Sequence, residues 1–272
     1  MYESDPVLLQ RTLESLDVAL ARASDAALVE SAEVTLVDNN APDAGAAAAT
    51  SAFGPGFVPV SKARWLRRSG QGNVGYGRGH NLVLNEREAD LFLVLNPDAF
   101  LAPHALARGI EYLNETSGCG LVAPYATGAD GAPQFLCKRY PDVTTLFLRA
   151  VVPGVARRLF RTRMDRYEMR DVIGQDAEAP ATGVPLASGC CMLIRSDVIR
   201  DTKGFDPRFF VYFEDYDLSL RLAAGGRSRI DYVPSMRIVH HGGNASRKSF
   251  AHIRMFAAGA WRFFDKHGWK FA

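Results

Sequence analysis

The chain has 272 residues, 47% of them hydrophobic, which is enough for one large domain with a substantial core. Its 32 Lys and Arg residues nearly balance its 30 Asp and Glu residues, so the net charge of +2 gives no electrostatic reason to expect a nucleic-acid-binding protein. No apolar run reaches the ~18 residues of a membrane-spanning helix and the N-terminus has no secretion signal, so we expect a cytoplasmic protein.

Helix and strand signals alternate along the first 125 residues. Hydrophobic spacing and turn residues predict, in order, a helix over 6–23, a strand over 33–37, an alanine-rich helix over 44–52, a weak strand near 63–66, a helix over 76–87 and a strand over 91–95. Alternation with short connections is typical of parallel strands joined by crossover helices. We therefore expect an α/β protein with a layered sheet.

The second half of the chain is less regular. Its predicted elements are a helix from Pro103 to 115, a strand over 121–123, a hairpin turn over 127–131, a loop-rich segment over 138–185, a strand over 191–194, a helix over 197–201, a helix ending at Gly225, and strands over 230–233 and 237–239. No low-complexity linker divides the chain, so we expect one domain.

Polar residues follow two of the predicted strands. Asp38-Asn39-Asn40 ends the strand over 33–37, and Asn96-Pro97-Asp98 ends the strand over 91–95. Ligands of α/β sheets gather at the carboxyl ends of strands, where an aspartate can hold a divalent cation beside phosphate oxygens. Turns of this composition also end strands for purely structural reasons, so this pattern alone leaves both interpretations open.

A glycine-rich turn, Gly72 to Asn81, precedes the predicted helix at 76. Glycines at such a place permit close approach of the backbone to an anionic ligand at a helix N-terminus. The third glycine of a dinucleotide fingerprint is missing, since His80 stands in its place. The segment is either a ligand-binding turn of another kind or a tight turn without a ligand.

Three carboxylates, Glu214, Asp215 and Asp217, lie within four residues among aromatic side chains at the start of a predicted helix. Crowded, poorly hydrated carboxylates repel one another, which raises proton affinity and suits a general base. The alternative is a solvated acidic helix start. For Asp217 we favour an i,i+4 ion pair with Arg221.

Two further segments carry candidate functional residues. His240-His241 follows the last predicted strand, where one imidazole could complete a cation site, although such a pair is also often structural. The tail over 247–272 predicts a basic amphipathic helix, which either lies on an anionic membrane surface or packs on the domain. The four cysteines show no paired metal-binding spacing, and we expect buried reduced thiols.

Together these segments resemble the family-2 glycosyltransferases, and most closely the branch of bacterial rhamnosyltransferase-like enzymes that build cell-surface polysaccharides such as O-antigen. The resemblance covers about residues 2–268. It is carried, in chain order, by Leu36-Val37-Asp38-Asn39, Gly72-Asn73-Val74-Gly75-Tyr76, Leu95-Asn96-Pro97-Asp98, Ser188-Gly189-Cys190-Cys191, Gly204-Phe205-Asp206-Pro207 through Glu214-Asp215-Tyr216-Asp217, and Val239-His240-His241-Gly242.

The resemblance implies a GT-A fold, a Rossmann-like, mainly parallel mixed sheet flanked by helices. It implies a nucleotide-sugar-binding half over 1–125, an acceptor and catalytic half over 126–246, and the C-terminal amphipathic helix over 247–272. The implied donor is a nucleotide-diphosphate sugar, with dTDP-L-rhamnose the first choice and UDP- or GDP-sugars behind it. The implied acceptor is a glycan or lipid-linked glycan, with possible peripheral membrane contact at the inner face and no nucleic acid.

The resemblance also assigns roles to residues. Asp38 would meet the donor base, and Asp215 would be the general base of an inverting transfer, with Glu214 beside it either contacting the acceptor or tuning Asp215. Asp98 and His240, or less favourably His241, would bind Mg²⁺ or Mn²⁺, with Asn96 standing where the family has another carboxylate. The remaining residues expected to contact the donor are Asn40, Asn73, Gly75, Tyr76, Asn81, Asn96 and Arg247.

One departure from the family pattern affects these expectations. Family members usually begin with an apolar strand ending in Thr-Tyr-Asn, whereas this chain begins Met1-Tyr2-Glu3-Ser4. The resemblance therefore predicts a sheet without its usual first strand, in which case either the start is incomplete or another segment fills the gap. It also keeps open a second function, that of a non-catalytic nucleotide-sugar-binding or assembly subunit.

Overall fold

The computed structural model describes residues 1–40, 53, 57–151, 160–173, 178–242 and 250–271. Within those ranges the helices are α1 (Pro6–Asp25), α2 (Tyr76–Leu84), α3 (Ala105–Glu115), α4 (Val143–Val151), α5 (Arg161–Tyr167), α6 (Ser196–Thr202), α7 (Glu214–Ala224) and α8 (Phe250–His267). The strands are β1 (Glu33–Val37), β2 (Arg64–Arg68), β3 (Leu91–Leu95), β4 (Ala99–Leu101), β5 (Cys119–Thr127), β6 (Pro133–Gln134), β7 (Cys137–Lys138), β8 (Ala181–Thr182), β9 (Leu186–Ala187), β10 (Cys191–Arg195) and β11 (Arg229–His240).

A mixed sheet forms the centre of the fold. Its strands lie in the order β3-β10-β5-β11-β4, with β6 added to β5 and β8 added to β11. Strand β10 is antiparallel to both β3 and β5, and β11 is parallel to β5, so β3, β5 and β11 all run in one direction. The predicted α/β architecture with a mixed sheet flanked by helices is confirmed.

Strands β1 and β2 pair in parallel, as the alternation of helices and strands predicts. They form a two-stranded sheet separate from the central one. Within the described residues no backbone ladder joins β1 to β3. The start of the chain lies at the end of β1, where the Met1 carbonyl accepts a hydrogen bond from the Asn39 N–H at 2.8 Å. The polar residues that follow β1 are thereby held in place.

Several element predictions need correction. The two strands expected over 230–233 and 237–239 are one strand, β11, because the chain continues through a register shift between Val233 and Arg237 and pairs with β5 on both sides of it. The segment expected to be loop-rich contains α4 and α5. The helix predicted to end at Arg87 ends at Leu84. The alanine-rich helix over 44–52 lies outside the described residues.

Helices cover both faces of the sheet. On one face α1 and α3 pack on β4 and β11. Asp5 caps the N-terminus of α1, where its carboxylate accepts the N–H groups of Val7 and Leu8, and Pro6 has the fixed backbone angle that suits the first helical position. On the other face α6 and α7 bury their apolar residues against β5, β10 and β11. All four cysteines are buried and free, as predicted.

Helix α8 packs its most apolar side on the domain, one of the two outcomes that its sequence allows. Phe263 and Phe264 are buried in an aromatic cluster with Phe209 and Phe213. At the same place the fully buried Asp217 accepts hydrogen bonds from Arg221 and His267, both at 2.7 Å. The ion pair predicted between Asp217 and Arg221 is present, and the hydrogen bond from His267 joins α8 to α7.

Candidate active site

The carboxylate pair lies at the first turn of α7, directly after a strained stretch of backbone. Tyr212 and Phe213 both adopt a φ of 69°, a left-handed conformation that is costly for aromatic residues. The conformation turns the chain sharply, so that Glu214 and Asp215 open the helix beside β10. Strain of this kind persists only where the surrounding packing fixes it, and here Phe213 is buried under α8.

Asp215 is held by backbone groups and stays partly accessible. Its two carboxylate oxygens accept N–H hydrogen bonds from Gly189 at 2.8 Å and from Tyr216 at 2.9 Å. Burial nevertheless raises the pKa of Asp215 to about 6. A carboxylate that is fixed in place and has a raised proton affinity is suited to accept a proton near neutral pH.

Glu214 has a different environment from that of its neighbour. Its side chain is buried, and its Oε2 has no hydrogen-bond partner among the described residues. Burial, together with the charge of Asp215, raises the pKa of Glu214 to about 8. Of the two carboxyls, Glu214 therefore keeps a proton more readily and can donate a hydrogen bond, whereas Asp215 ionises first.

The glycine-rich turn packs against the loop that precedes the carboxylates. The Tyr76 N–H donates to the Phe210 carbonyl at 2.8 Å, and the Tyr76 hydroxyl donates to the Gly189 carbonyl at 2.5 Å. Gly75 has a φ of 90°, and a Cβ there would lie 2.2 Å from the Phe210 carbonyl oxygen. The turn thus requires glycine at 75 for close packing against the loop that precedes α7.

This contact predicts unequal effects for two glycine substitutions. Gly75→Ala is expected to cost about 3 kcal/mol of unfolding free energy, since overpacking adds to the strain of positive φ. Gly72→Ala shares the positive φ but meets no atom within 4 Å, so about 1 kcal/mol is expected. Urea denaturation of both variants measures the difference. Equal losses would contradict the proposed contact.

The residues that follow β1 form a buried polar group. Asp38 and Asn39 are buried, and Asp38 pairs with Arg67. The Asn39 side-chain amide donates to the Gly75 carbonyl at 3.2 Å, which connects this group to the glycine-rich turn. Asn40, by contrast, is exposed at the same strand end. The Asp38 carbonyl also accepts a hydrogen bond from the Gln71 side chain at 2.8 Å, so Asp38 and Asn39 lie beside the turn.

The other predicted donor contacts differ in their surroundings. Asn73 is exposed, and its side-chain oxygen accepts the Gly75 N–H at 3.1 Å, which shapes the turn. Asn81 uses both ends of its amide on the Phe205 backbone, at 2.7 and 2.9 Å. Its side chain therefore braces the loop before α7, and we assign it a structural role in place of ligand contact. Arg247 lies outside the described residues.

Asn96 and Asp98 follow the end of β3, and Asp98 lies beside His240 at the end of β11. β3 ends at Leu95, β4 begins at Ala99, and β4 pairs with β11 so that His240 lies opposite Ala99. His240 Nε2 lies 3.6 Å from Asp98 Oδ1. The buried Oδ1 atoms of Asn96 and Asp98 have no hydrogen-bond partner in the described part of the chain. These unpaired oxygen atoms and the imidazole match the donor set of a hard divalent cation.

Two observations refine this candidate metal site. His241 turns its ring onto Phe100, with 4.5 Å between ring centroids, so His240 is the histidine that faces Asp98. A Cβ on residue 242 would lie 2.4 Å from His240 Nε2 and 2.8 Å from Asp98 Oδ2, so the glycine there leaves a space between them. Among the described residues no group of three or more His, Cys, Asp or Glu side chains is arranged to hold a metal ion, and this candidate site offers two such side chains, Asp98 and His240.

The segment Gly189-Cys190 connects the parts of the site. The Gly189 N–H bonds Asp215, the Gly189 carbonyl accepts from Tyr76, and the Cys190 carbonyl accepts the Asn96 N–H at 2.8 Å. A Cβ on Gly189 would lie 3.2–3.3 Å from Tyr76 and Asp215. The carboxylate pair, the glycine-rich turn and Asn96 thus all contact this short backbone segment.

Comparison with known proteins identifies the family. The sequence profile of a family described as glycosyltransferase like family 2 matches residues 58–258, which include the glycine-rich turn, the strand end at Asp98, the carboxylate pair and His240. The chain belongs to this family. It is therefore a glycosyltransferase.

This family-2 glycosyltransferase has curated relatives at moderate identity. It is 27% identical over 278 residues to the N-acetylglucosaminyl-diphospho-decaprenol L-rhamnosyltransferase of Mycobacterium tuberculosis (strain ATCC 25618 / H37Rv), spanning 96% of this chain and 81% of the relative. It is 25% identical over 189 residues to the rhamnosyltransferase WbbL of Escherichia coli (strain K12), spanning 66% of each chain. The S. aureus TarS 1-349 crystal structure superposes with a TM-score of 0.51 at 14% identity, spanning 98% of this chain and 71% of that one, which supports a GT-A-like fold.

The structure also reveals residues whose roles the sequence did not indicate. Gly189 stands in a motif that carries the resemblance, but nothing in its spacing indicates a bond to Asp215. Arg67 pairs with Asp38 from the neighbouring strand. Gln134 bonds His240 from a two-residue strand. Isolated polar residues of this kind have no periodic signal, and only the tertiary fold brings them to the site.

Proposed function

We propose that this glycosyltransferase is an inverting, metal-dependent enzyme that transfers L-rhamnose from dTDP-L-rhamnose to a cell-surface or lipid-linked glycan. The observation that carries the proposal is the backbone segment Gly189-Cys190, which bonds Asp215 on one side and Asn96, at the candidate metal site, on the other. A base and a cation site on either side of one short segment suit a displacement in which the acceptor attacks as the nucleotide leaves.

The donor side would consist of the glycine-rich turn, Asp38 and the metal site. Asp98 and His240 would hold Mg²⁺ or Mn²⁺, with Asn96 beside them. Such a cation, when bound, stabilises the negative charge of a nucleoside-diphosphate leaving group.

The acceptor side would consist of the two carboxylates. Asp215 would accept the proton of the attacking hydroxyl, and its two backbone hydrogen bonds keep it oriented without neutralising it. Glu214, which keeps a proton more readily than Asp215, would donate a hydrogen bond to the acceptor. One base opposite the leaving group is all that an inverting displacement needs.

The names of the relatives support the choice of sugar and acceptor. Both curated relatives are named as rhamnosyltransferases, and the mycobacterial name specifies an N-acetylglucosaminyl-diphospho-decaprenol acceptor. An isoprenoid-diphosphate-linked sugar is accordingly our first choice of acceptor class for this chain.

The raised pKa of Asp215 predicts the acid limb of the pH profile. The base form is required, so the transfer rate at saturating donor should rise with pH and reach half its plateau near pH 6. An ordinary aspartate with a pKa of about 3.9 would give a flat profile there. Initial rates between pH 4.5 and 8 test this. A profile flat down to pH 5 would contradict the assignment of Asp215 as base.

Peripheral contact with the inner face of the membrane would bring the enzyme to such an acceptor. No helix among the described residues is both long and apolar enough to cross a bilayer. Helix α8 leaves Ile253 and Trp261 exposed, at 56% and 66%, each followed by an exposed arginine. An apolar row flanked by cations suits an anionic membrane surface.

The membrane contact predicts a specific loss of lipid binding. Trp261→Ser should weaken binding to vesicles containing phosphatidylglycerol about tenfold, because one large aromatic residue is no longer buried in the interface. Val58→Ser, which changes a residue that is 80% exposed elsewhere, is the matched control. Co-sedimentation measures both, and equal binding of the two variants would contradict the contact.

The proposed activity is tested by a donor and acceptor panel. Calorimetry with dTDP-L-rhamnose, UDP-sugars and GDP-sugars, each with and without Mn²⁺ or Mg²⁺, identifies the donor. Transfer of labelled sugar to a synthetic isoprenoid-diphosphate N-acetylglucosamine then tests turnover. We expect tightest binding of dTDP-L-rhamnose, dependence on metal, and transfer. Binding without turnover on any acceptor would favour the non-catalytic function.

A further inference from the structure

Gln134 makes two hydrogen bonds to a single residue of the candidate metal site. Its side-chain amide nitrogen donates to the His240 backbone carbonyl at 2.9 Å, and its amide oxygen lies 2.9 Å from His240 Nδ1. Gln134 belongs to the short strand β6, which pairs with β5 at Ala126. Its side chain therefore reaches from a different strand to the end of β11.

The first of these bonds fixes the orientation of the amide. A backbone carbonyl can only accept, so the NH₂ end of Gln134 must face the His240 carbonyl and its oxygen must face Nδ1. An amide oxygen also only accepts, so Nδ1 must carry the hydrogen. In a neutral imidazole Nε2 is then left with a free lone pair.

That lone pair points to the place where a cation would bind. His240 Nε2 lies 3.6 Å from Asp98 Oδ1, and neither atom can donate a hydrogen in this arrangement. Gly242 leaves the space beside both atoms open, since a Cβ there would overlap them. Two electron-pair donors beside an open space suit a divalent cation, and they match a histidine presented to metal through Nε2.

A second glycine makes room for the amide itself. A Cβ on Gly128, at the end of β5, would lie 3.2 Å from Gln134 Nε2. The Gln134 amide thus lies close to the backbone at the end of β5.

We propose that Gln134 is a positioning residue that sets the Nδ1–H tautomer of His240 and so presents Nε2 to the metal. The inference rests on the proposed function for the identity of the metal site. It adds a residue that touches neither cation nor substrate and acts only through His240.

The tautomer can be measured without metal, donor or acceptor. In the metal-free ¹⁵N-labelled full-length chain at pH 8, long-range ¹H–¹⁵N spectra distinguish protonated from unprotonated ring nitrogens, and His240→Gln assigns the signal. We expect Nδ1–H in the wild type, a mixture of tautomers in Gln134→Met, and Nδ1–H again in Gln134→Glu, whose carboxylate can still accept. Gln10→Met, which removes an amide that bonds Glu14 on α1, should leave the signal unchanged.

Metal binding provides the second readout. Gln134→Met should weaken Mn²⁺ binding about 10- to 100-fold, the range typical of groups that orient a metal-bound histidine. A wild-type His240 protonated at Nε2, or a tautomer or Mn²⁺ affinity unchanged by Gln134→Met, would overturn the proposal. The tautomer can be measured without turnover. A chain that fails to transfer sugar can therefore still confirm the proposed role of Gln134, and an active enzyme can still contradict that role.

Discussion

Asp215→Asn is expected to lower the transfer rate constant by about 10²- to 10⁴-fold, the usual contribution of a general base. The substitution keeps the shape of the side chain and removes its ability to take the acceptor proton. The donor dissociation constant should stay within about threefold, since we propose an acceptor-side role for Asp215 and its carboxylate bonds only backbone N–H groups in the described structure.

A loss of activity in Asp215→Asn has to be distinguished from a loss of the folded state. Asn turns its NH₂ group toward one of the two N–H donors that Asp215 accepts, which costs about 1–3 kcal/mol. Removing the charge of Asp215 has the opposite effect on the free energy of unfolding, because a charged group is costly to bury. The variant is therefore expected to fold. Asp215→Ser, which is smaller and meets neither donor, provides a second variant with the same expected loss.

Glu214→Gln is the matched control for Asp215→Asn. It changes the adjacent carboxyl, and because that carboxyl keeps a proton more readily than Asp215, the rate should fall by less than about tenfold. Loss of donor binding in Asp215→Asn with an unchanged rate per bound donor would exclude Asp215 as the base. A larger loss in Glu214→Gln than in Asp215→Asn would exchange the two roles.

Asp98→Asn is expected to have the second large effect, on metal-supported donor binding. Asp98 is the only carboxylate in the Asn96, Asp98 and His240 group, so the substitution leaves that group with no negative charge. We expect Mn²⁺-dependent donor binding to weaken by about 100-fold, equivalent to about 2.7 kcal/mol. Binding measured without metal should change little.

A control at the other end of the same strand isolates this effect. Asp90 is exposed just before β3, whereas Asp98 follows it, so Asp90→Asn makes the same chemical change away from the site. It should leave both Mn²⁺ affinity and donor affinity unchanged. Calorimetry of both variants measures these affinities. A metal-dependent donor affinity in Asp98→Asn equal to that of the wild type would contradict the proposed metal site.

The sequence predicted the parts of the fold whose signals are local. Strands β1 and β3 have short apolar runs followed by polar residues, and those runs indicated both the strands and the strand-end positions of Asp38 and Asp98. The glycine-rich turn was predicted from composition, and Gly75 proves to need its glycine for a tertiary contact as well. These signals depend on residues that are neighbours in the chain.

The rest depended on contacts between distant segments. Strand β11 was predicted as two pieces because its apolar alternation is interrupted near Pro234, whereas pairing with β5 continues on both sides. Asn81 was predicted to contact the donor, but its amide is used on Phe205, 124 residues away in the chain. The link from Asp215 through Gly189 to Asn96 likewise joins three segments that no sequence spacing connects.

The anomeric configuration of the transferred sugar tests the central claim most directly. The product made from dTDP-L-rhamnose, Mn²⁺ and an isoprenoid-diphosphate N-acetylglucosamine acceptor can be examined by ¹H NMR against the donor. A single base at Asp215 opposite the leaving group predicts complete inversion at the anomeric carbon, with no product from Asp215→Asn on the same time scale. A product with retained configuration would contradict the account.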